Sequence, residues 1–134
     1  MLKGNIDNVF GGSNTAGTVQ NSYVYISGGS PGNVYGGNND GGRTVESHVN
    51  VGGSNLEYVY GGGRNAETTN TTVQVFGGYT KNLFGGGLNG GVSGKAKVTI
   101  FGGIVTKTFG GSNNNGTVTE TEVLVDAQAD SVVY

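Results

Sequence analysis

The chain has 134 residues, of which 29 are glycine, one is proline and none is cysteine, and its formal net charge is −2. So sparse a charge excludes an electrostatic grip on nucleic acid, which needs clustered Lys and Arg, and the lack of cysteine excludes disulfide frameworks and thiolate metal sites. No run of apolar residues is long enough to insert into a membrane as a helix, and the opening Met-Leu-Lys-Gly-Asn-Ile-Asp has no apolar h-region.

From the N-terminus onward one phrase recurs: Val9-Phe10-Gly11-Gly12, Val34-Tyr35-Gly36-Gly37, Val59-Tyr60-Gly61-Gly62, Leu83-Phe84-Gly85-Gly86 and Thr108-Phe109-Gly110-Gly111. The aromatic-to-aromatic steps are 25, 25, 24 and 25 residues, and a further step of 25 lands on Tyr134. A period of this length sustained from end to end marks a repeat array. It also argues against glycine-rich disorder, because the glycines are periodic and the stretches between them alternate apolar and polar residues.

Those stretches supply the predicted strands. They are Tyr23-Val24-Tyr25-Ile26, His48-Val49-Asn50-Val51, Thr72-Val73-Gln74-Val75, Lys97-Val98-Thr99-Ile100 and Glu122-Val123-Leu124-Val125. Alternation with period two predicts a strand with one buried face. Each segment ends nine residues before the next aromatic, so the residue missing from the third repeat falls in the connection between Tyr60 and Val75, where length changes are tolerated.

Stacking the repeats places like on like. Two inward columns of Val and Ile form the predicted core, and Ser22, Ser47, Thr71, Ala96 and Thr121 form a small-residue column suited to a tight inner corner. The Gly-Gly pairs suit corners because glycine reaches positive φ and permits close backbone approach. Asn and Asp in the polar linkers suit turns and can stack in ladders. The reading is an all-β fold, a parallel β-helix (β-solenoid) of about five 25-residue coils. A single domain covers the chain, with coils at approximately 10–34, 35–59, 60–83, 84–108 and 109–134. A blade-type propeller needs roughly 40–45 residues per unit and is disfavoured.

The run from Gly61 through Arg64, Asn65, Val73 and Val75 to Phe76-Gly77-Gly78 resembles the glycine-rich passenger repeats of bacterial autotransporter adhesins. It is also similar to Val-Tyr-Gly-Gly-Gly repeats in large surface proteins of gut bacteria. The resemblance implies a β-helical stalk or adhesive passenger, placed outside the cell, at its surface or in a virion fibre. The chain opens in mid-repeat and stops at Val133-Tyr134, where Gly-Gly is expected next, so a segment of a longer solenoid is expected. Open coil ends are unpaired strand edges, which template association, so head-to-tail self-assembly is the companion expectation.

Chemistry-bearing residues are few. His48 is the sole histidine and alternates outward in the column Tyr23, His48, Thr72, Lys97, Glu122, so it reads as a surface residue. No acidic pair recurs in one column of adjacent coils, as a glycosidase would need. Asp40 of Gly-Gly-Asn-Asn-Asp-Gly-Gly aligns with Thr15, Asn65, Asn89 and Asn114, which breaks any regular calcium repeat. The glycine runs lack the Lys-Ser/Thr and helix of a phosphate loop. Catalytic residues, metal ligands and cofactors are therefore expected to be none. The one candidate ligand-binding surface is Tyr23, Tyr25, His48 and Asn50, whose rings and amide suit a carbohydrate. The expected role is a non-enzymatic rod with a repetitive contact surface, its partners a further copy of the chain or a glycan or protein of a host or cell surface. A carbohydrate-binding or carbohydrate-cleaving β-helix and a self-assembling filament subunit are the alternatives.

Overall fold

A computed structural model describes residues 6–126 and the backbone of Val132–Val133. Each coil contributes a long and a short strand, both rich in the β-branched residues that suit a pleated, half-buried surface. The short strands are β1 (Asn8–Phe10), β3 (Asn33–Tyr35), β5 (Asn55–Tyr60), β7 (Tyr79–Phe84), β9 (Ile104–Phe109) and β11 (Val132–Val133). The long ones are β2 (Thr18–Ile26), β4 (Arg43–Val51), β6 (Glu67–Val75), β8 (Val92–Ile100) and β10 (Val118–Val125). Each set forms one parallel sheet in coil order, so the chain alternates between two sheets as it climbs. This is a parallel β-solenoid of about five turns at the expected period.

The predicted strands are the C-terminal halves of the long strands, which begin further upstream than the alternation alone indicates. The short strands β1, β3, β5, β7 and β9 end on the repeated aromatics. Register follows the columns: Val24 pairs with Val49, Val49 with Val73, Val73 with Val98 and Val98 with Val123.

Two connections are short by one residue, where the sequence frame shows one. Tyr35 to Thr44 spans nine residues, whereas Tyr60 to Thr68 and Phe84 to Val92 span eight, with Thr44, Thr68 and Val92 in register. The fourth coil regains its residue inside β8, where Val92 to Lys95 carries one residue more than the facing stretches of β6 and β10. Gly94 sits in this bulge, a position glycine favours. Deletion and bulge cancel in the 25-residue step from Phe84 to Phe109, which is why the aromatics conceal them.

The main core lies between the sheets. Val49, Val51, Val73, Val75, Val98 and Ile100 of the long strands meet Val34, Leu56, Val59, Leu83 and Val105 of the short ones. The predicted inward ladder fails at one end: Val123 and Val125 are 44% and 49% exposed, because no described side chains pack beyond β10. Val132 pairs with Ile104, an offset of 28 residues (132 − 104) and not 25. Tyr134, expected to extend the aromatic column, lies outside the described residues.

A second core sits on the other face of the short strands. Val59 points into the main core and its neighbour Tyr60 away from it, as strand alternation requires. Phe10, Tyr35, Tyr60, Phe84 and Phe109 stack in near-parallel pairs with centroids 4.8, 4.8, 5.1 and 4.8 Å apart. Tyr58 and Leu88 pack against this column. Stacked aromatic pairs add about 0.5–1.5 kcal/mol beyond burial of their area.

The two uses of glycine are divided between positions. Positive φ belongs to Gly29, Gly78 and Gly103 at one corner and to Gly17, Gly42 and Gly116 at the other. The glycines after the aromatics have ordinary φ and are needed for close approach. A Cβ at Gly61 would stand 2.5 Å from the Gly85 carbonyl oxygen and 2.9 Å from Val73 Cγ2. The small column is not a corner either. Ser22, Ser47 and Thr71 lie within the long strands, and their hydroxyls donate to the carbonyl oxygens of Gly36, Gly61 and Gly85 at 2.5, 2.6 and 2.5 Å.

Candidate functional site

The outward face of the long-strand sheet carries all four predicted ligand-binding residues. β2 and β4 pair Tyr23 with His48 and Tyr25 with Asn50, so the four side chains form a two-by-two patch on one sheet face. The Tyr23 and His48 rings are stacked at 4.7 Å with planes 9° apart. Tyr23 and Tyr25 are 73% and 66% exposed, while His48 and Asn50 are half-buried. The patch offers ring faces and edges, an imidazole, two phenol hydroxyls and an amide. It is chemically suited to stacking and hydrogen bonding with a polyhydroxylated ligand.

Further along the same face the columns become ionic. Lys95 lies 3.7 Å from Glu120 and 3.1 Å from Glu122, and Lys97 is 4.0 Å from Glu122. The acidic residues Glu120 and Glu122 of the last long strand are thus paired across coils. The hydrogen bond and charge of Lys95 hold the Glu122 carboxyl below its ordinary range, and Glu122 in turn raises Lys95. Thr99, which alternates with the inward Val98 and Ile100, is nonetheless buried.

Side-chain ladders line the polar loops. Asn39 Nδ2 donates to Asn14 Oδ1 at 2.8 Å. A second ladder runs Asp40, Asn65, Asn89, Asn114, each amide donating to the previous coil at 2.7, 2.8 and 2.8 Å. The Asn ladders expected from the sequence are therefore present. Asn38 bonds turn backbone, as expected of a linker asparagine, but its burial was not foreseen. It is fully buried, accepts from Ser13 N–H and Thr44 Oγ1 at 2.8 and 3.0 Å, and donates to the Gly41 carbonyl at 3.0 Å. The absence of asparagine from the equivalent places in other coils hid its burial and its bonds to Ser13 and Thr44.

Sequence reasoning also passed over an apolar corner. Phe76 and Phe101 stack at 5.0 Å beside the paired Tyr79 and Ile104, and Phe76 is 50% exposed. Their shared spacing of 25 residues was a usable signal.

An open depression of about 160 Å³ lies beside the β8 bulge, lined by Glu67, Gly91, Val92, Ser93, Thr117 and Thr119. Its one carboxylate, Glu67, is 3.3 Å from Arg43, which also donates to Ser93 Oγ at 3.0 Å. That arrangement neutralises the acid and supplies no second carboxyl for hydrolysis. Among the described residues, no group of three or more His, Asp or Glu is placed to hold a metal ion, and no helix is long and apolar enough to cross a membrane.

No family model matches the chain, and neither a curated protein nor a solved structure matches it.

Proposed function

We propose that this chain is a non-enzymatic structural and adhesive β-solenoid segment of a bacterial or bacteriophage surface or fibre protein. Its work is to provide length, stiffness and a repetitive lateral surface for attachment or self-association. The observation that carries this reading is the coil-on-coil stack, in register apart from the β8 bulge, in which core valines, aromatic rings and asparagine amides each form ladders along one axis. Such a stack is rigid because each interior coil is bonded to both neighbours through two sheets and a polar loop. Cryo-electron microscopy with light scattering across a concentration series tests self-association. Rods longer than one chain would support assembly, and a persistent monomer would leave attachment as the role. Release of reducing ends from a polysaccharide panel would overturn the non-enzymatic reading.

A carbohydrate-binding β-helix is the second reading, favoured by the exposed Tyr23–His48 stack flanked by Tyr25 and Asn50. Glycan-array binding that is lost in Tyr23→Ala and Tyr25→Ala, with folding intact, would establish it. Binding that survives both substitutions would move the site elsewhere.

A further inference from the structure

The chain contains two Asn-Gly dipeptides among its described residues, Asn89-Gly90 and Asn115-Gly116. They stand in different surroundings. Asn89 is a rung of the ladder, its amide donating to Asn65 Oδ1 and its oxygen accepting from Asn114 Nδ2, both at 2.8 Å. The amide nitrogen of Gly90 is itself engaged, donating to the Arg64 carbonyl at 3.2 Å. Both reacting groups of that dipeptide are therefore held apart by neighbouring coils.

Asn115 is one place off the ladder. It follows the rung Asn114 and occupies a column otherwise filled by Ala16, Gly41, Ala66 and Gly90. Its side chain is exposed. Among the described residues the Gly116 amide nitrogen takes no backbone partner and donates instead to Asn115 Oδ1 at 3.1 Å. The side-chain carbonyl carbon lies one bond, about 1.23 Å, behind that oxygen. Gly116 holds φ at +87°, and glycine lacks the Cβ that would crowd attack by its nitrogen.

We propose that Asn115 is a site of spontaneous deamidation through a succinimide formed with Gly116. The Gly116 nitrogen gives its proton to solvent base and bonds to Asn115 Cγ. The Cγ–Nδ2 bond then breaks, and the amide nitrogen leaves as ammonia with protons from water. Hydrolysis of the ring by water at one carbonyl gives aspartate, and at the other isoaspartate. No oxidant or reductant enters, and the net change is water in and ammonia out. Each event takes the formal charge from −2 to −3.

The test is peptide mapping by mass spectrometry of the folded chain held at mildly alkaline pH, with isoaspartyl methyltransferase labelling of the product. A parallel sample is unfolded in urea, which removes the differences in surroundings. In the folded chain Asn115 should convert on the order of tenfold faster than Asn89, a difference of about 1.4 kcal/mol in barrier. In urea the two should convert at similar rates. Asn115→Gln should abolish the early methyltransferase signal without altering the folded circular dichroism. Equal conversion of the two sites in the folded chain, faster conversion of Asn89, or no conversion of Asn115 while the urea sample reacts would each overturn the proposal.

Discussion

The Ser47 hydroxyl donates to the Gly61 carbonyl at 2.6 Å across the interior of one coil, tying the long strand to the corner that follows the aromatic. Among the described residues that carbonyl takes no backbone hydrogen bond, so the hydroxyl is its partner. Ser47→Ala should therefore cost about 1–3 kcal/mol, the penalty for stranding a buried acceptor. Ser47→Thr should restore it, because Thr71 makes the same bond to Gly85 one coil on. Urea unfolding of the three proteins decides the matter; equal midpoints would show that the bond contributes nothing.

The corner glycines divide into those that need the missing Cβ and those that do not. Gly61→Ala forces a methyl against the Gly85 carbonyl and should destabilise by about 1–3 kcal/mol through overpacking. Gly28 has ordinary φ and open space where a Cβ would stand. Gly28→Ala should be neutral, or stabilising by about 0.4–1 kcal/mol through the unfolded chain. A reversed order in thermal melts would contradict the packing described for the aromatic corner.

Val73 is wholly buried between Val49 and Val98 in its column. Val73→Asp places a carboxylate there with no partner and should unfold the adjacent coils. His48→Ala removes a surface ring and should change stability by no more than about 0.5 kcal/mol. Circular dichroism at matched temperature separates the two, and equal tolerance would refute the assignment of inward and outward columns.

Tyr60 gives the fold an alkaline limit. Burial pushes its phenol from 10.0 up to about 12, against the lowering effect of the hydrogen bond from Asn113 Nδ2. Between those values the unfolded chain releases a proton that the folded chain keeps. The stabilisation is complete below pH 10.0 and is lost as the pH rises through about 12. Burial raises Tyr35 in the same direction. Tyr60→Phe should flatten the decline in stability over this interval, and Tyr35→Phe should flatten it further. An unchanged slope in the double variant would place the alkaline limit in other groups.

The coil period, the inward Val and Ile columns and the polar ladders were legible because each is repeated from coil to coil. Repetition turned alternation in a few residues into a register for the whole sheet. Features that occur once were not legible. Asn38 works through a buried network unique to its coil, and the β8 bulge cancels a shortened loop, leaving the spacing of Phe84 and Phe109 undisturbed. The small-residue column was visible, but its role was misread. Sequence reports the size of Ser47, whereas the Gly61 carbonyl that it reaches is set by how the coil closes. The candidate ligand patch was legible as position and not as geometry: alternation put Tyr23 and His48 outward, and only the pairing of β2 with β4 stacked their rings.

The coil-on-coil ladders also determine how the molecule yields under load. Strands lie across the stacking axis, so tension along that axis pulls on one coil's hydrogen bonds at a time, as in opening a zip. Each detached coil frees 24 or 25 residues, about 80–90 Å of extended chain at roughly 3.3–3.6 Å per residue. Stretched from its ends, the chain would pay out in nearly equal steps, shedding one coil while the remainder stays folded and able to bear the strain.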